Sequence, residues 1–302
     1  MATKYLDPYT DFGFKKLFGE EANKELLIDF LNSILPEKHQ IEMLEFRNAE
    51  QLGPIPFDRK AFFDIYCEAK NGEKFIVEMQ KAKQNYFKDR AIFYVTFPIR
   101  DQAEKGLEWQ FELKAIYYVG VLDFEYDEHE ELRKFKRDVT LKDQDGVLFY
   151  DKLHFIFLQM PLFRKTESEL VTRQDKWNFF LKNLVSLDHI PAILQEPVFM
   201  QAFRTAEIAK MTKEEYFRYE TNLNAHRDDY AVMETAKSEA RAEGLAEGKA
   251  EGKAEGKAEG KAEGKNEAMT DIALAMKKDG VDLKVIAKYT GLSPEEIGQL
   301  ED

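Results

Sequence analysis

The stretch FDIYCEAKNGEKFIVEMQ, residues 63–80, predicts a β-hairpin and carries two acids inside apolar runs. Its arms are rich in β-branched and aromatic residues, and the Asn-Gly pair between them is a strong hairpin signal. One arm contains Asp64, and the other contains Glu78 and Gln80. Because side chains alternate between the two faces of a strand, Glu78 and Gln80 share one face. A carboxylate and an amide in so apolar a strand raise the question of a functional site.

The length of the loop between the arms determines whether the two acids meet. A strict two-residue Asn-Gly loop pairs Ile65 with Glu78 and leaves Asp64 on the opposite face. A three-residue loop, or a bulge in one arm, brings Asp64 and Glu78 to the same face. A shared site therefore requires one of these two irregularities.

Two carboxylates on one face would suit a hard divalent cation. Buried acids are costly unless they are paired or bound to metal, and Mg²⁺ or Mn²⁺ binds carboxylate oxygens, water and phosphate. Gln80 could then orient a water molecule or contact a phosphate. The alternative is that both acids lie on a solvated sheet face beside Tyr66 and Glu68. The spacing of the residues does not choose between the two interpretations.

The composition indicates a folded protein with one large domain and a smaller addition. The chain has 302 residues, of which 44% are hydrophobic. Its one cysteine, Cys67, excludes an intrachain disulfide and a Cys-based zinc site. No apolar run is long enough to span a membrane, and the N-terminal residues have no apolar signal region. We therefore expect a cytoplasmic protein with no membrane partner.

The net charge of −13 argues against a nucleic-acid partner, but the charge is unevenly distributed. Residues 1–100 contain 15 Lys and Arg against 16 Asp and Glu, so this part is nearly neutral. The stretch KAKQNYFKDR, residues 81–90, holds four basic residues and one acid directly after the hairpin. Local charge therefore leaves DNA open as a partner.

Periodicity along the chain predicts an α/β protein. A helix is predicted over residues 20–35, and a crossover helix over 84–106 with a kink at Pro98. From residue 167 to residue 239 the pattern is helical almost throughout. The predicted strands are 41–46, 61–69, 74–80, 113–124 and 152–160.

The C-terminal quarter begins with six Ala-Glu-Gly-Lys-like tetrads, residues 242–265. Like charges fall at i,i+4 and each Gly costs a helix about 1 kcal/mol, so the repeat predicts a flexible spacer or a weak, fraying helix. A coiled coil would need an apolar seam, which the repeat lacks. Residues 266–300 predict helices around a glycine turn, with Ser293 as a helix cap. Their spacing is like that of DNA-binding helix-turn-helix units, whereas their charge favours docking to a partner or self-association.

Several stretches together resemble one protein family. FDIYCEAKNGEKFIVEMQ looks like the Asp…Glu-x-Gln variant of the PD-(D/E)XK nuclease signature. The wider pattern is similar to the recombination-promoting nuclease / putative transposase family of bacteria, over roughly residues 4–240. The other matching stretches are DFGFKKLFG (11–19), LLIDFLNSIL (26–35), FKDRAIFY (87–94) and WNFFLKNL (177–184).

The resemblance implies a restriction-endonuclease-like mixed sheet flanked by helices, with a helical C-terminal region, that cuts DNA with Mg²⁺ or Mn²⁺. Asp64 and Glu78 would be catalytic metal ligands. Gln80 stands where the broader superfamily has lysine, so it cannot supply that positive charge. The expected activity is that of a metal-dependent DNA endonuclease related to transposition and recombination. The alternative is a catalytically weak or inactive module on this fold that binds DNA or a protein partner as a regulator.

Four further residues are secondary candidates for substrate binding. Asp11 and Lys15 could reach the site from the first helix, or they could be a solvated helix start. Arg90 and Tyr94 lie on one helix face and could meet a DNA phosphate, although Tyr94 could equally be a packing residue.

The chain is expected to divide into four parts, and its tail could carry a homo-oligomer or protein-partner contact. The expected parts are a nuclease-like core (1–166), a helical region packed on or extending it (167–240), a repeat spacer (241–266) and a small helical hairpin (267–302).

Overall fold

A computed structural model describes residues 3–51, 61–103, 112–126, 131 and 133–300. The chain separates into two compact units, Met1–Arg227 and Asp228–Asp302. Within the described ranges, no helix is both long enough and apolar enough to cross a membrane. The fourfold division expected from the sequence stays a prediction.

The first unit is built on a six-stranded mixed sheet in the order β1-β4-β5-β6-β8-β7. The pairs β5–β6 and β6–β8 are parallel, and the other neighbours are antiparallel. A separate pair, β2–β3, is antiparallel. The strands are β1 (Leu44–Phe46), β2 (Glu50–Gln51), β3 (Ala61–Phe62), β4 (Ile65–Ala69), β5 (Lys74–Gln80), β6 (Ile116–Leu122), β7 (Lys136–Lys142) and β8 (Leu148–Gln159).

Helices cover the sheet and form the C-terminal region. They are α1 (Asp11–Phe18), α2 (Lys24–Ile34), α3 (Phe87–Arg100), α4 (Arg173–Asn183), α5 (Pro197–Ala206), α6 (Lys213–Lys278), α7 (Leu283–Thr290) and α8 (Pro294–Gln299). The predicted α/β class, a mixed sheet flanked by helices with a helical C-terminal region, is confirmed. The crossover helix ends at Arg100, with Pro98 inside it, and residues 104–106 of its predicted range lie outside the described part.

The strand pattern was predicted well in the centre of the sheet and less well at its edge. β5 has the predicted bounds, whereas the run predicted over 61–69 is divided into β3 and β4 by a break before Ile65. β7 was missed because its sequence, KRDVTLK, alternates weakly and belongs to an edge strand with one solvated side.

The two faces of the central strands pack against different helices. Phe75 and Val77 join a core that includes side chains of α1, α2, α4 and α5. Ile76, between them, joins a second core with Phe87 and Ala91 of α3. Because Glu78 and Gln80 have the parity of Ile76, they lie on the face that α3 covers.

Helix α1 begins at a tight capped turn that depends on a glycine. The Thr10 hydroxyl donates to the carbonyl of Asp7 at 2.7 Å and accepts the N–H of Gly13 at 3.0 Å. Thr10 thereby acts as the N-cap. A Cβ at position 13 would lie 2.1 Å from the Asp7 carbonyl oxygen, so only glycine fits this turn without a shift.

Replacing Gly13 by Ala is therefore expected to destabilise the first unit by about 1–3 kcal/mol, a usual cost of overpacking. Urea unfolding followed by tryptophan fluorescence measures this loss. The matched control is Gly248→Ala in α6, where an added Cβ meets nothing within 4 Å. It should leave the first unit unchanged and raise helix stability by up to about 1 kcal/mol. Equal stability of the Gly13→Ala protein and the wild type would contradict the capping role.

The Ala-Glu-Gly-Lys repeat is helical throughout, since α6 runs without a break from Lys213 to Lys278. The sequence left open a flexible spacer or a weak, fraying helix, and the structure has the helix. The role of the segment as a spacer stays a prediction. The glycines and the like-charge pairs destabilise each helical turn of the repeat. The helix-forming residues on both sides, however, provide the nucleus from which the helix extends. Propagation through the repeat then adds one hydrogen bond per ordered residue.

The C-terminal hairpin of the second unit has the predicted glycine turn and cap. Gly280 has a φ of +77° just after α6 ends, and Ser293 forms a capping box with Glu296 at the start of α8. Ala273 and Ile286 are buried in its small core. Ile272, next to the buried Ala273, is 46% exposed and lies on the solvent side of α6.

Candidate active site

The hairpin of β4 and β5 has a three-residue loop, residues 70–72, which lies between the hydrogen-bonded residues Ala69 and Glu73. The N–H of Ala69 donates to the carbonyl of Glu73 at 2.8 Å, and the N–H of Gly72 donates to that of Ala69 at 2.8 Å. Gly72 has a φ of +85°, and a three-residue hairpin loop requires such a left-handed residue. The resulting register pairs Ile65 with Val77, and its continuation sets the preceding residue, Asp64, opposite Glu78. This is the arrangement that brings both acids to one face.

Backbone donors hold the two carboxylates beside each other. The N–H of Asp64 donates to Oε1 of Glu78 at 3.1 Å. The N–H of Met79 donates to Oδ2 of Asp64 at 2.7 Å. Each acid thus accepts a hydrogen bond from the hairpin arm that carries the other, and among the described residues no basic side chain forms an ion pair with either of them.

Burial makes this pair of carboxylates hard to ionise fully. Glu78 is 4% exposed. Burial, followed by the negative charge of Asp64, raises the pKa of Glu78 to about 8. Burial also raises the pKa of Asp64, and the Met79 N–H opposes that rise. Near neutral pH the pair therefore retains a proton unless a cation neutralises it.

Gln80 presents an unsatisfied oxygen on the same face. Its Nε2 donates to the hydroxyl of Tyr118 at 3.0 Å, whereas its Oε1 is buried and has no hydrogen-bond partner among the described residues. Tyr118 is fully buried on β6, in the strand position beside Ile76. Sequence reasoning missed it, although the parity of two successive tyrosines in β6 assigns one of them to this face.

Two basic side chains from different helices act on the acids. Lys15 of α1 forms an ion pair with Asp11, 2.6 Å apart, and both side chains are about half exposed. Burial raises the pKa of both Glu78 and Asp64, and the positive charges of Lys15 and Arg90 oppose the rise for each of them. Positive charge therefore reaches the carboxylates from two sides.

Arg90 and Tyr94 lie one helical turn apart on α3. The guanidinium of Arg90 is 5.7 Å from the centre of the Tyr94 ring, and its Nη1 donates to Gln84 Oε1 at 2.8 Å. Burial, followed by the charge of Glu78, raises the pKa of the Tyr94 hydroxyl. Six of the seven predicted site residues thus belong to the acid pair or interact electrostatically with it, and Gln80 lies on the same strand face as Glu78. The roles of all seven remain predictions.

The oxygen atoms of this neighbourhood fit a hard divalent cation. Two carboxylates and the Oε1 of Gln80 are the ligand types that Mg²⁺ and Mn²⁺ prefer. Within the described ranges, no group of three or more His, Cys, Asp or Glu side chains is placed to hold a metal ion. A cation here would depend on two acids, the amide, and oxygens from water or substrate.

The sequence profile of a family described as "PD-(D/E)XK nuclease family transposase" matches residues 8–236. Comparisons with curated proteins and with solved structures gave no match. The matched range begins just before α1, extends into α6, and includes Asp64, Glu78 and Gln80. It supports a nuclease- or transposase-related role with DNA as the substrate. We conclude that the chain belongs to the PD-(D/E)XK nuclease family transposases.

Proposed function

We propose that this protein is a metal-dependent DNA endonuclease that hydrolyses phosphodiester bonds in a transposition- or recombination-related reaction. The observation that carries the proposal is the buried pair of Asp64 and Glu78, which backbone donors hold side by side and which forms no ion pair with a basic side chain of the described residues. A structural ion pair would place a basic group in contact with such acids. An acid pair with an open oxygen beside it instead favours a cation-binding role.

Asp64 and Glu78 would hold Mg²⁺ or Mn²⁺, with the Gln80 carbonyl oxygen as a further donor. When bound, such a cation supplies charge neutralisation at a phosphodiester and lowers the pKa of a coordinated water. The backbone N–H groups of Asp64 and Met79, which donate to the two carboxylates, would hold them in place for the cation. Their fixed orientation means that little rearrangement is needed when DNA arrives.

Lys15 and Arg90 would supply the positive charge that Gln80 cannot provide. Both already act on the two carboxylates, and neither belongs to the hairpin that carries them. In the protein with its cation bound, their charges would be directed toward the phosphate that the cation attracts. The change from lysine to glutamine in the signature is therefore compatible with activity.

Nicking of supercoiled plasmid, with and without Mg²⁺ or Mn²⁺, tests the proposal. We expect nicked product with either metal and none in EDTA. Nicking that is equal in EDTA would contradict a metal mechanism. DNA binding without nicking, and without measurable Mn²⁺ affinity, would instead support the inactive regulatory module. The observation in favour of that module is that the described residues place no third acidic side chain beside the pair.

The hydroxyl of Tyr118 is expected to fix the Gln80 amide with its oxygen toward the carboxylates. Tyr118→Phe removes this one hydrogen bond, which is worth about 1 kcal/mol, so Mn²⁺ affinity should fall about fivefold. Calorimetric titration of Mn²⁺ measures the change without DNA or turnover. The matched control is Tyr117→Phe, because the Tyr117 hydroxyl is buried without a partner and Tyr117 packs in the core on the opposite face of β6. Equal Mn²⁺ affinities for the two variants would refute a positioning role for Tyr118.

A further inference from the structure

Tyr86 is an exposed aromatic residue in a backbone conformation that favours glycine. It is 80% exposed, with φ of +64° and ψ of +25°, and is the one non-glycine residue with positive φ among those described. It occupies the third position of a turn in which the N–H of Phe87 donates to the carbonyl of Gln84 at 3.3 Å. Turns with positive φ at this position usually have Gly or Asn there.

Packing does not explain why a large ring stands at this position. In the described part of the chain, the Tyr86 ring has no aromatic or cation partner and its hydroxyl makes no hydrogen bond. A strained and solvated aromatic residue next to a candidate site is more typical of ligand contact than of fold stability.

The position of Tyr86 connects it to the carboxylate pair. It precedes the first turn of α3, and the N–H of Arg90 donates to its carbonyl at 2.9 Å. Arg90, one turn further along, acts on Asp64 and Glu78. Lys83 and Lys88 are exposed on either side of Tyr86, with a single acid in residues 81–90. An anionic chain that reaches the carboxylates along α3 would therefore pass Tyr86.

We propose that Tyr86 stacks on an unpaired nucleobase of DNA next to the phosphate that is cut. This inference rests on the proposed nuclease function and specifies its substrate. Stacking on an aromatic ring tolerates any base, because every base has a π face. Inside a duplex those faces are covered by neighbouring base pairs, so the ring needs a base that is bulged, frayed or single-stranded. The preferred substrate is then DNA with an unpaired base rather than an intact duplex.

Fluorescence anisotropy with three labelled DNAs tests the proposal in EDTA, where binding is measured without cleavage. The DNAs are an intact 30-base-pair duplex, the same duplex with one bulged base, and one of its single strands. Wild type should bind the bulged and single-stranded DNAs more tightly than the duplex. Tyr86→Asn, which suits positive φ, should weaken binding to those two by about 5- to 100-fold and to the duplex by less than about twofold.

Control variants separate stacking from charge and from folding. Tyr86→Phe keeps the ring and should bind like the wild type. Phe149→Ala removes another exposed ring, 79% exposed on β8, and should change no affinity. Tyr86→Asn should melt at the wild-type temperature or up to about 4 °C above it, because it relieves backbone strain. A lower melting temperature would assign Tyr86 to the fold and overturn the proposal.

The remaining outcomes are equally decisive. The stacking role would be overturned if the wild type bound all three DNAs equally well or bound no DNA. It would also be overturned if Tyr86→Asn lost the same affinity for all three DNAs. If the wild type nicks plasmid but Tyr86→Asn binds all three DNAs equally more weakly, the proposed nuclease function stands and the stacking role does not. A selective loss in Tyr86→Asn with no nicking by the wild type would retain the stacking role and reject catalysis.

Discussion

Asp64→Asn is expected to lower metal-dependent plasmid nicking by about 10²–10⁴-fold, since a bound cation supplies several kcal/mol of transition-state stabilisation. Asn has nearly the same shape as Asp, and its Oδ1 can still accept the Met79 N–H that Asp64 accepts at 2.7 Å. The variant therefore removes one negative charge and leaves the hydrogen bond. It should also fold at least as well as the wild type, because a buried carboxylate is replaced by a neutral amide of nearly the same shape.

The control for this prediction is a carboxylate on β4, the strand that Asp64 directly precedes. Glu68 has the parity of Asp64 but is engaged by Lys74, at 2.8 Å, and by Arg47, at 3.2 Å. Glu68→Gln should nick within about twofold of the wild type, as expected for a partly exposed ion pair of small energetic weight. Retained nicking in Asp64→Asn, measured with both Mg²⁺ and Mn²⁺, would exclude Asp64 as a metal ligand. An equal loss in both variants would point to the fold of the hairpin rather than to the metal.

The second large effect is a loss of stability of the metal-free protein as pH rises. The pKa of Glu78 is raised in the folded protein to about 8 from its ordinary 4.5. A raised folded-state pKa means that the stabilisation is complete below the unfolded value and is lost as pH rises through the folded value. In EDTA we therefore expect the melting temperature to fall by more than about 5 °C between pH 6 and pH 9.

Glu78→Gln isolates this effect from other titrating groups. Gln keeps an oxygen for the Asp64 N–H and has no proton to lose, so its melting temperature should change less over the same range. Burial, followed by the negative charge of Asp7, also raises the pKa of Asp123, to about 6. Asp123 titrates in both proteins, so it does not cause a difference between them. Added Mg²⁺ should restore the wild type at pH 9 and leave Glu78→Gln unaffected. Parallel pH curves for the two proteins would show that Glu78 is not the group responsible.

The sequence was sufficient for the central hairpin because burial imposes a strict two-residue period there. β5 has its predicted bounds, and Glu78 and Gln80 share a face as the alternation requires. Loop length could not be predicted, because an Asn-Gly pair serves both the two-residue and the three-residue loop. A difference of one residue in loop length decides on which face Asp64 lies. The pairing of the two acids therefore could not be predicted from the sequence.

Other features depended on neighbours that local sequence does not specify. Tyr118 contacts Gln80 because it lies on a parallel strand, 38 residues further along the chain. The adjacent Tyr117 has nearly the same local sequence, so local sequence does not show which tyrosine makes the contact. The left-handed turn at Tyr86 has no local signal, since Asn85 beside it is the better candidate for positive φ. The helical state of the repeat likewise depends on the helix that enters and leaves it.

The two carboxylates are anchored very differently in the sheet. Glu78 lies on β5, an inner strand with a paired neighbour on each side, whereas Asp64 stands one residue before β4 begins. Fraying at the start of β4 therefore moves Asp64 alone and leaves Glu78 in place. Local opening at the start of β4, which breaks the two hydrogen bonds of Asp64, would therefore separate the acids while the centre of the sheet stays intact.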